Sequence, residues 1–343
     1  MATTVVAPVV GRARTRRRTA GLAAAAAGLV VVSMLSLALG TRSIPLGTTW
    51  QVLWHPDGSV ASDVIHTLRI PRTLLGLGVG AALGLSGALM QALTRNPLAE
   101  PGILGVNLGA ATAVVVAIAF LGISSLSGYI WFSFAGAALT SVAVFALGGT
   151  GRSPTPERQI LAGIALTSVL GAFVWAVLVT LPEVFDRYRY WDVGSLADRD
   201  HATLVRVAPF LVVGVVWALL LGGRLNALSL GDEAATAVGA SPARIRALGL
   251  GAITLLCGAA TAATGPIWFL GLAVPYVARL LVGADHRWVL GYSVLIGPSL
   301  LLLSDIVGRV AAPPSELQVG VVTAFVGAPV FLLLCRRRRI GQL

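Results

Sequence analysis

The sequence has 343 residues, of which 56% are hydrophobic and only 11% are charged, whereas soluble domains average about 25% charged residues. Its formal net charge is +11, but the basic residues are scattered between apolar segments, which argues against nucleic-acid binding. Every basic residue is arginine, and this excludes both a P-loop lysine and a Schiff-base lysine. The composition therefore indicates a membrane protein that does not hydrolyse ATP itself.

Ten apolar segments along the chain are long enough to cross a bilayer, which takes about 20 residues per helix. The region 261–287 is interrupted by Gly265, Pro266 and Pro275, which predicts a short or broken helix there. The expected fold is an all-α polytopic membrane protein. The predicted spans are residues 19–40, 72–94, 103–122, 130–149, 158–181, 202–222, 244–263, 268–283, 289–311 and 318–335.

Arginine is concentrated on the termini and on alternate loops, which the positive-inside rule assigns to the cytoplasm. The first apolar run, 19–40, is too long for the apolar region of a cleaved signal peptide. We therefore predict a basic cytoplasmic tail at 1–18, a membrane domain at 19–335 and a second basic cytoplasmic tail at 336–343.

Glycines recur every four residues on the second predicted span, at Gly76, Gly80 and Gly84, with Gly87 close behind. Small residues in this pattern let helix backbones approach closely in lipid. We favour helix packing over a glycine-lined pore as their role.

No enzyme site is indicated by the sequence. Cys257 and Cys335 match no metal or redox spacing, and the four histidines have no paired spacing. We predict no catalytic residue and no metal ligand. A membrane-embedded enzyme is therefore the least supported class.

Four segments in order carry a family resemblance: NPLAEPGILGVN within 68–111, GPIWFLGLAVPYVARLLVGADHR at 265–287, residues 305–309, and SELQVGVVTAFVGAPVF at 315–331. The chain resembles the FecCD/BtuC-like permeases of ABC importers for iron-siderophores, haem and vitamin B12, and especially the permeases for catecholate siderophores such as enterobactin. The resemblance implies a type II ABC importer permease in the cytoplasmic (inner) membrane, with both termini cytoplasmic.

The same resemblance implies the partners of this chain. They are a separate ABC ATPase subunit that holds ATP and Mg, a second permease copy or a related permease, and an extracytoplasmic siderophore-binding protein. The implied substrate is a ferric siderophore, and the permease itself is expected to bind no cofactor. An ion-coupled secondary transporter is the alternative, but such proteins usually carry several intramembrane ionisable residues.

The predicted cytoplasmic loop 225–246 contains two helix signals in succession. Asp232 and Glu233 suit the positive end of a helix, Gly239 suits its C-terminal end, and Ser241 with Pro242 suits the start of the next. The sequence predicts a helix, an elbow and a helix. The resemblance places ATPase coupling on Leu230, Gly231, Asp232, Glu233, Ala234, Ala237, Gly239 and Ala240.

Asn96 and Pro97 end the second predicted span, because proline lacks a backbone donor and disfavours helix at the residue before it. We favour a structural turn over direct substrate contact for this pair. Gln91 lies deeper in the apolar run, where its amide either joins two helices or lines the pathway. These two alternatives are about equally supported.

Arg69 and Arg72 precede the second predicted span, and Arg309 lies near the outer end of the ninth. Each can extend its guanidinium to the lipid headgroups. The resemblance implies instead that such arginines dock acidic residues of the binding protein, and we favour docking. Asp305, four residues before Arg309, is predicted to pair with it.

Tyr188, Tyr190 and Trp191 form an aromatic stretch in a predicted outer loop. They are candidates for the outer mouth of the pathway, where they would meet a catecholate ligand. Aromatic residues are also enriched at membrane interfaces, and this second interpretation is favoured.

Overall fold

The computed structural model describes residues 10–41, 43–123, 125–149 and 156–336, and no strand occurs among them. A π-helical segment, Val64–Arg69, joins α3 to α4, and a short 3₁₀ helix, Pro101–Leu104, precedes α5. Most of the predicted tail at 336–343, and residues 1–9 of the other tail, lie outside the described residues. The α-helices are α1 (Val10–Ala38), α2 (Leu46–Trp54), α3 (Val60–Asp63), α4 (Ile70–Thr94), α5 (Val106–Leu121), α6 (Leu126–Gly149), α7 (Pro156–Thr180), α8 (Pro182–Asp192), α9 (His201–Leu220), α10 (Gly222–Ser229), α11 (Asp232–Ala237), α12 (Pro242–Thr264), α13 (Leu270–Val282), α14 (His286–Ala311) and α15 (Val319–Arg336).

Ten of these helices match the ten predicted spans. Among the described residues, seven helical stretches are long and apolar enough to cross a membrane, and α5, α13 and α15 are shorter apolar helices. The all-α membrane fold is thereby confirmed. We call the end that carries α10 and α11 the inner end, since its loops hold the arginine excess, and the end that carries α2 and α8 the outer end.

The structure corrects the predicted boundaries in two ways. α1 begins at Val10 rather than at residue 19, because arginine and alanine both favour helix; the arginines of the predicted tail therefore lie on the helix. Four short helices, α2, α3, α8 and α10, were not predicted. A search for long apolar runs misses them because each is much shorter than a membrane span.

α4 lies at the centre of the bundle, since 83% of its most apolar window is buried, against 11% for α1. Its glycine face contacts other backbones directly. A side chain at Gly80 would lie 2.5 Å from the Cα of Pro298 in α14, and one at Gly87 would overlap the carbonyl oxygen of Gly271 in α13. The predicted helix-packing role of these glycines is therefore confirmed.

The predicted break in the region 261–287 is the loop between α12 and α13. Gly265 has φ +78° and lies against the carbonyl oxygen of Trp191, where no side chain fits. The backbone N–H of Phe269, at the start of α13, donates to the carboxylate of Glu100 at 2.8 Å. Polar groups freed by the break are thus satisfied by other segments of the protein, as the membrane interior requires.

The buried thiol of Cys257 lies on α12, 3.1 Å from the hydroxyl of Ser86 on α4. This cysteine therefore packs between two helices in the protein interior. The side chain of Cys335 lies outside the described part of the chain.

Candidate functional site

The inner end contains the predicted helix, elbow and helix. α11 begins at Asp232 after Gly231, which has φ +105°, and Gly239, with φ +81°, turns the chain toward α12. Positive φ favours glycine at both positions. The predicted cap at Ser241 is wrong in detail, because its side chain makes no capping hydrogen bond; Pro242 alone pre-organises the first turn.

Asp232 joins three parts of the inner end. Its carboxylate accepts hydrogen bonds from Arg95 at the end of α4 and from Arg246 on α12, both at 2.8 Å. Arg95 also donates to the carbonyl oxygen of Leu228 on α10 at 2.8 Å. Burial raises the pKa of Asp232, but the two arginines more than offset this, so the net pKa lies below its usual value and both ion pairs are formed at neutral pH.

The two arginines at Asp232 were not identified from the sequence. Arg95 is separated from Asp232 by 137 positions, so no local spacing rule relates them. The only sequence signal was the assignment of both to the inner side by the positive-inside rule.

Asn96 and Pro97 form the structural turn that was favoured. α4 ends with Arg95 in the left-handed region at φ 51°, and the side-chain oxygen of Asn96 accepts from the backbone N–H of Leu98 at 2.9 Å. An Asx turn of this kind stops a helix locally.

The amide of Gln91 is buried between α4 and α13. It donates to the carbonyl oxygen of Leu272 at 3.4 Å and accepts a hydrogen bond from Arg279. These contacts support the interhelical alternative for Gln91. Its role on the pathway stays a prediction.

A buried ion network lies near the outer ends of α4 and α14. Arg72 pairs with Asp305 and with Glu316, each at 2.8 Å. The Nε of Arg309 is 3.1 Å from the second oxygen of Asp305, an ion pair outside hydrogen-bond geometry. The predicted pairing of Asp305 with Arg309 is confirmed, while the shared partner Arg72 was missed because it is distant in sequence.

Arg69 and Arg309 do not reach the lipid headgroups. Their side chains are buried, with 6% and 2% of the residue exposed, and they donate to backbone carbonyl oxygens at the end of α1. Arg69 binds those of Leu37 and Ala38 at 2.7 Å, and Arg309 binds that of Leu39 at 2.8 Å. They stabilise the C-terminus of α1, and the headgroup interpretation is wrong for both.

The aromatic stretch forms part of α8. Tyr188 and Trp191 are buried, and the Tyr188 hydroxyl donates to Asp192 at 2.7 Å. Tyr190 alone is largely exposed. The membrane-interface interpretation is therefore wrong for Tyr188 and Trp191, whose rings pack inside the protein.

A cavity of about 910 Å³ opens at the outer end. Its lining includes the arginines Arg69, Arg72, Arg199 and Arg309 and the aromatic residues Tyr190 and Trp191. The structure thus brings the predicted outer arginines and two of the predicted pathway aromatics to one cavity.

A central buried helix, further membrane-crossing helices, a helical elbow at one end and a cavity at the other define a polytopic membrane transport protein. The FecCD transport family model matches residues 28–337. The chain therefore belongs to the FecCD transport family, and it is a multi-pass protein of the cytoplasmic membrane. This confirms the resemblance stated from the sequence.

Two curated relatives and one solved structure are similar over nearly the full length. The chain is 47% identical to the ferric enterobactin transport system permease protein FepD of Escherichia coli (strain K12), over 91% of this chain and 94% of the relative. It is 41% identical to the Fe(3+)-citrate import system permease protein YfmD of Bacillus subtilis (strain 168), over 89% and 91%. An inward-facing metal-chelate type ABC transporter matches with a TM-score of 0.82 at 31% identity, covering 92% of this chain and 98% of that one.

Proposed function

We propose that this chain is the permease subunit of an ABC importer that translocates ferric siderophores across the cytoplasmic membrane. The observation that carries the proposal is the 47% identity to a ferric enterobactin permease over nearly all of both chains. The inner elbow and the outer cavity support it, because a permease needs a surface for its motor and an entrance for its substrate.

The proposed complex supplies what this chain lacks. A separate ATPase subunit holds ATP and Mg, a second permease copy or a related permease completes the pathway, and an extracytoplasmic protein delivers the ferric siderophore. This chain acts as a transporter subunit rather than as an enzyme.

We propose that the ATPase contacts the surface between Leu230 and Ala240. Leu230 and Val238 expose large apolar side chains there, which suits a partner-binding surface. The contacts from Arg95 to Asp232 and to Leu228 connect this surface with the end of α4. A displacement of α11 by the ATPase would therefore act on the central helix of the bundle.

At the outer end we propose that the binding protein docks over the cavity. Arg72 is the best placed of the three predicted docking arginines, since 14% of its side chain is exposed and the other two are more deeply buried. Arg72 would bind an acidic side chain of the partner directly. Arg69 and Arg309 would stabilise the structure around Arg72 through their hydrogen bonds to the end of α1.

The alternative, an ion-coupled secondary transporter, finds little support in the ion network. Asp305 is neutralised by Arg72 and Arg309, whereas a proton or sodium relay needs an acid that can change its charge state.

The function is tested by uptake of a ferric catecholate into proteoliposomes that contain the permease and its ATPase. We expect uptake to require ATP on the side of the ATPase and the binding protein on the other. Collapse of the proton and sodium gradients should leave the rate unchanged. Uptake driven by an ion gradient without the ATPase would overturn the proposal.

The coupling assignment is tested by Asp232→Ala. Loss of this carboxylate releases Arg95 and Arg246, and we expect ATP-driven uptake to fall about fivefold or more, the range typical of coupling between sites. Glu183→Ala is the matched control, because Glu183 is an exposed acid on α8, at the other end of the protein. Membrane insertion, measured by detergent-extracted yield, should be equal in both variants, and normal uptake by Asp232→Ala would contradict the assignment.

A further inference from the structure

The outer cavity has the size of a small-molecule site. Its volume of about 910 Å³ lies within the range of about 300–1,000 Å³ that is usual for ligand pockets. Five arginines but only three acidic residues line it. When Asp305, the partner of Arg72 and Arg309, is added to these acids, the five arginines still outnumber the four acids. The cavity wall therefore has an excess of positive charge.

Arg199 is the unusual member of this set. The acids on either side of it, Asp198 and Asp200, are exposed, while Arg199 is turned inward with 7% of the residue exposed. Its Nε donates to the carbonyl oxygen of Ser195 at 3.3 Å. In the described part of the chain it forms no ion pair, although burial of a cation without an ionic partner is unfavourable.

The electrostatics at Arg199 agree with this geometry. Burial lowers the pKa of Arg199 to about 10, and the charges of Asp198 and Asp200 oppose the shift only in part. An anion in the cavity would restore the ordinary preference for the charged form. Arg199 is thus a desolvated cation that lines an open cavity.

The rest of the wall suggests the kind of anion. Arg187 and Tyr190 of α8 both line the cavity, and both are exposed. Guanidinium groups bind oxyanions through directed hydrogen bonds, and aromatic rings stack on other aromatic rings. A flat protein surface would not reach a guanidinium as recessed as that of Arg199.

We propose that this cavity is a binding subsite within one permease chain for an anionic, aromatic metal chelate, and that Arg199 is its main anion-binding side chain, with Arg187 as a second. The proposal rests on the proposed function, because it assigns a place where the arriving chelate is held after delivery. It adds two residues that the sequence analysis did not select.

The test uses the assembled transporter in nanodiscs without the binding protein. Equilibrium dialysis measures retention of a radioactive ferric tris(catecholate), which carries a net negative charge. Arg199→Gln should weaken binding about tenfold or more, the loss of one charged hydrogen-bonding group, and Arg187→Gln should weaken it less. Wild-type affinity should fall as salt is added, and the Arg199→Gln affinity should depend on salt less steeply.

Arg206→Gln is the control, since Arg206 is an exposed arginine on α9 that does not line the cavity. Affinity of the binding protein for the transporter, measured separately, should be the same for all variants. If Arg199→Gln yields no folded protein, Arg187→Gln decides, because Arg187 is exposed and its loss leaves the fold intact.

Unchanged chelate binding in the variants would overturn the inference, as would weaker docking of the binding protein with chelate binding intact. In the second case the site would take an acidic side chain of that protein instead. Failure of the wild-type transporter to import the chelate with ATP would refute the proposed function. Wild-type import together with an unaffected Arg199→Gln variant would refute only this subsite.

Discussion

Gly87→Val is expected to remove most of the folded protein from the membrane. A side chain at this position would overlap the carbonyl oxygen of Gly271, so α4 and α13 would have to move apart. Overpacking of a side chain against other side chains costs about 1–3 kcal/mol. The overlap here is with backbone, which has no alternative rotamer, and the cost should exceed that range.

The measurement is the yield of monodisperse protein in detergent and its thermal unfolding midpoint. Gly171→Val on α7 is the matched control, because no atom lies within 4 Å of the added side chain at that position. Both variants place valine on a membrane-spanning helix, so they differ mainly in whether the added side chain overlaps another helix. Equal yields and unfolding midpoints would show that the close approach of α4 and α13 is not required.

Asp305→Asn is expected to destabilise the protein by about 3–5 kcal/mol, the usual result of removing one partner from a buried charge pair. The substitution keeps the size of the side chain but removes the negative charge between Arg72 and Arg309. Arg309 would then be buried without an ionic partner, and Arg72 would keep only Glu316. The same change should loosen the end of α1, because Arg309 also binds its carbonyl oxygens.

Glu316→Gln provides the comparison, since Glu316 contacts Arg72 at the same 2.8 Å but its side chain is 29% exposed. Water can replace the lost carboxylate there, and the expected cost is at most about 1 kcal/mol. Chemical unfolding in detergent, followed by tryptophan fluorescence, measures both variants. A similar loss in the two would indicate that burial does not govern the strength of this network.

The spans, the turn at Asn96 and Pro97, and the break after Thr264 were predictable because each depends on local chemistry. An apolar run of sufficient length must lie in the membrane, and proline or glycine interrupts a helix wherever it occurs. The short helices α2, α3, α8 and α10 were missed because each is too short to form a membrane-length apolar run.

The candidate sites were predictable only in part. Asp232 and Arg72 were selected, but their partners Arg95 and Glu316 were not, since pairing across more than a hundred positions leaves no local pattern. The burial of individual side chains could not be read from the sequence either, and for this reason Arg69 and Trp191 were assigned to surfaces. Arg199 was not selected, because neither its burial nor its place in the cavity lining is visible in the sequence.

The sequence alone determined that this is a membrane protein, that the glycine face of α4 packs closely against other helices, and that the chain carries the motifs of its family. These properties follow from side-chain transfer energies and backbone preferences, which each segment carries with it. Only the tertiary structure decided which charges neutralise each other and which arginine is left facing a cavity. Electrostatic free energy depends on distance and burial in three dimensions, and neither can be read from the order of residues.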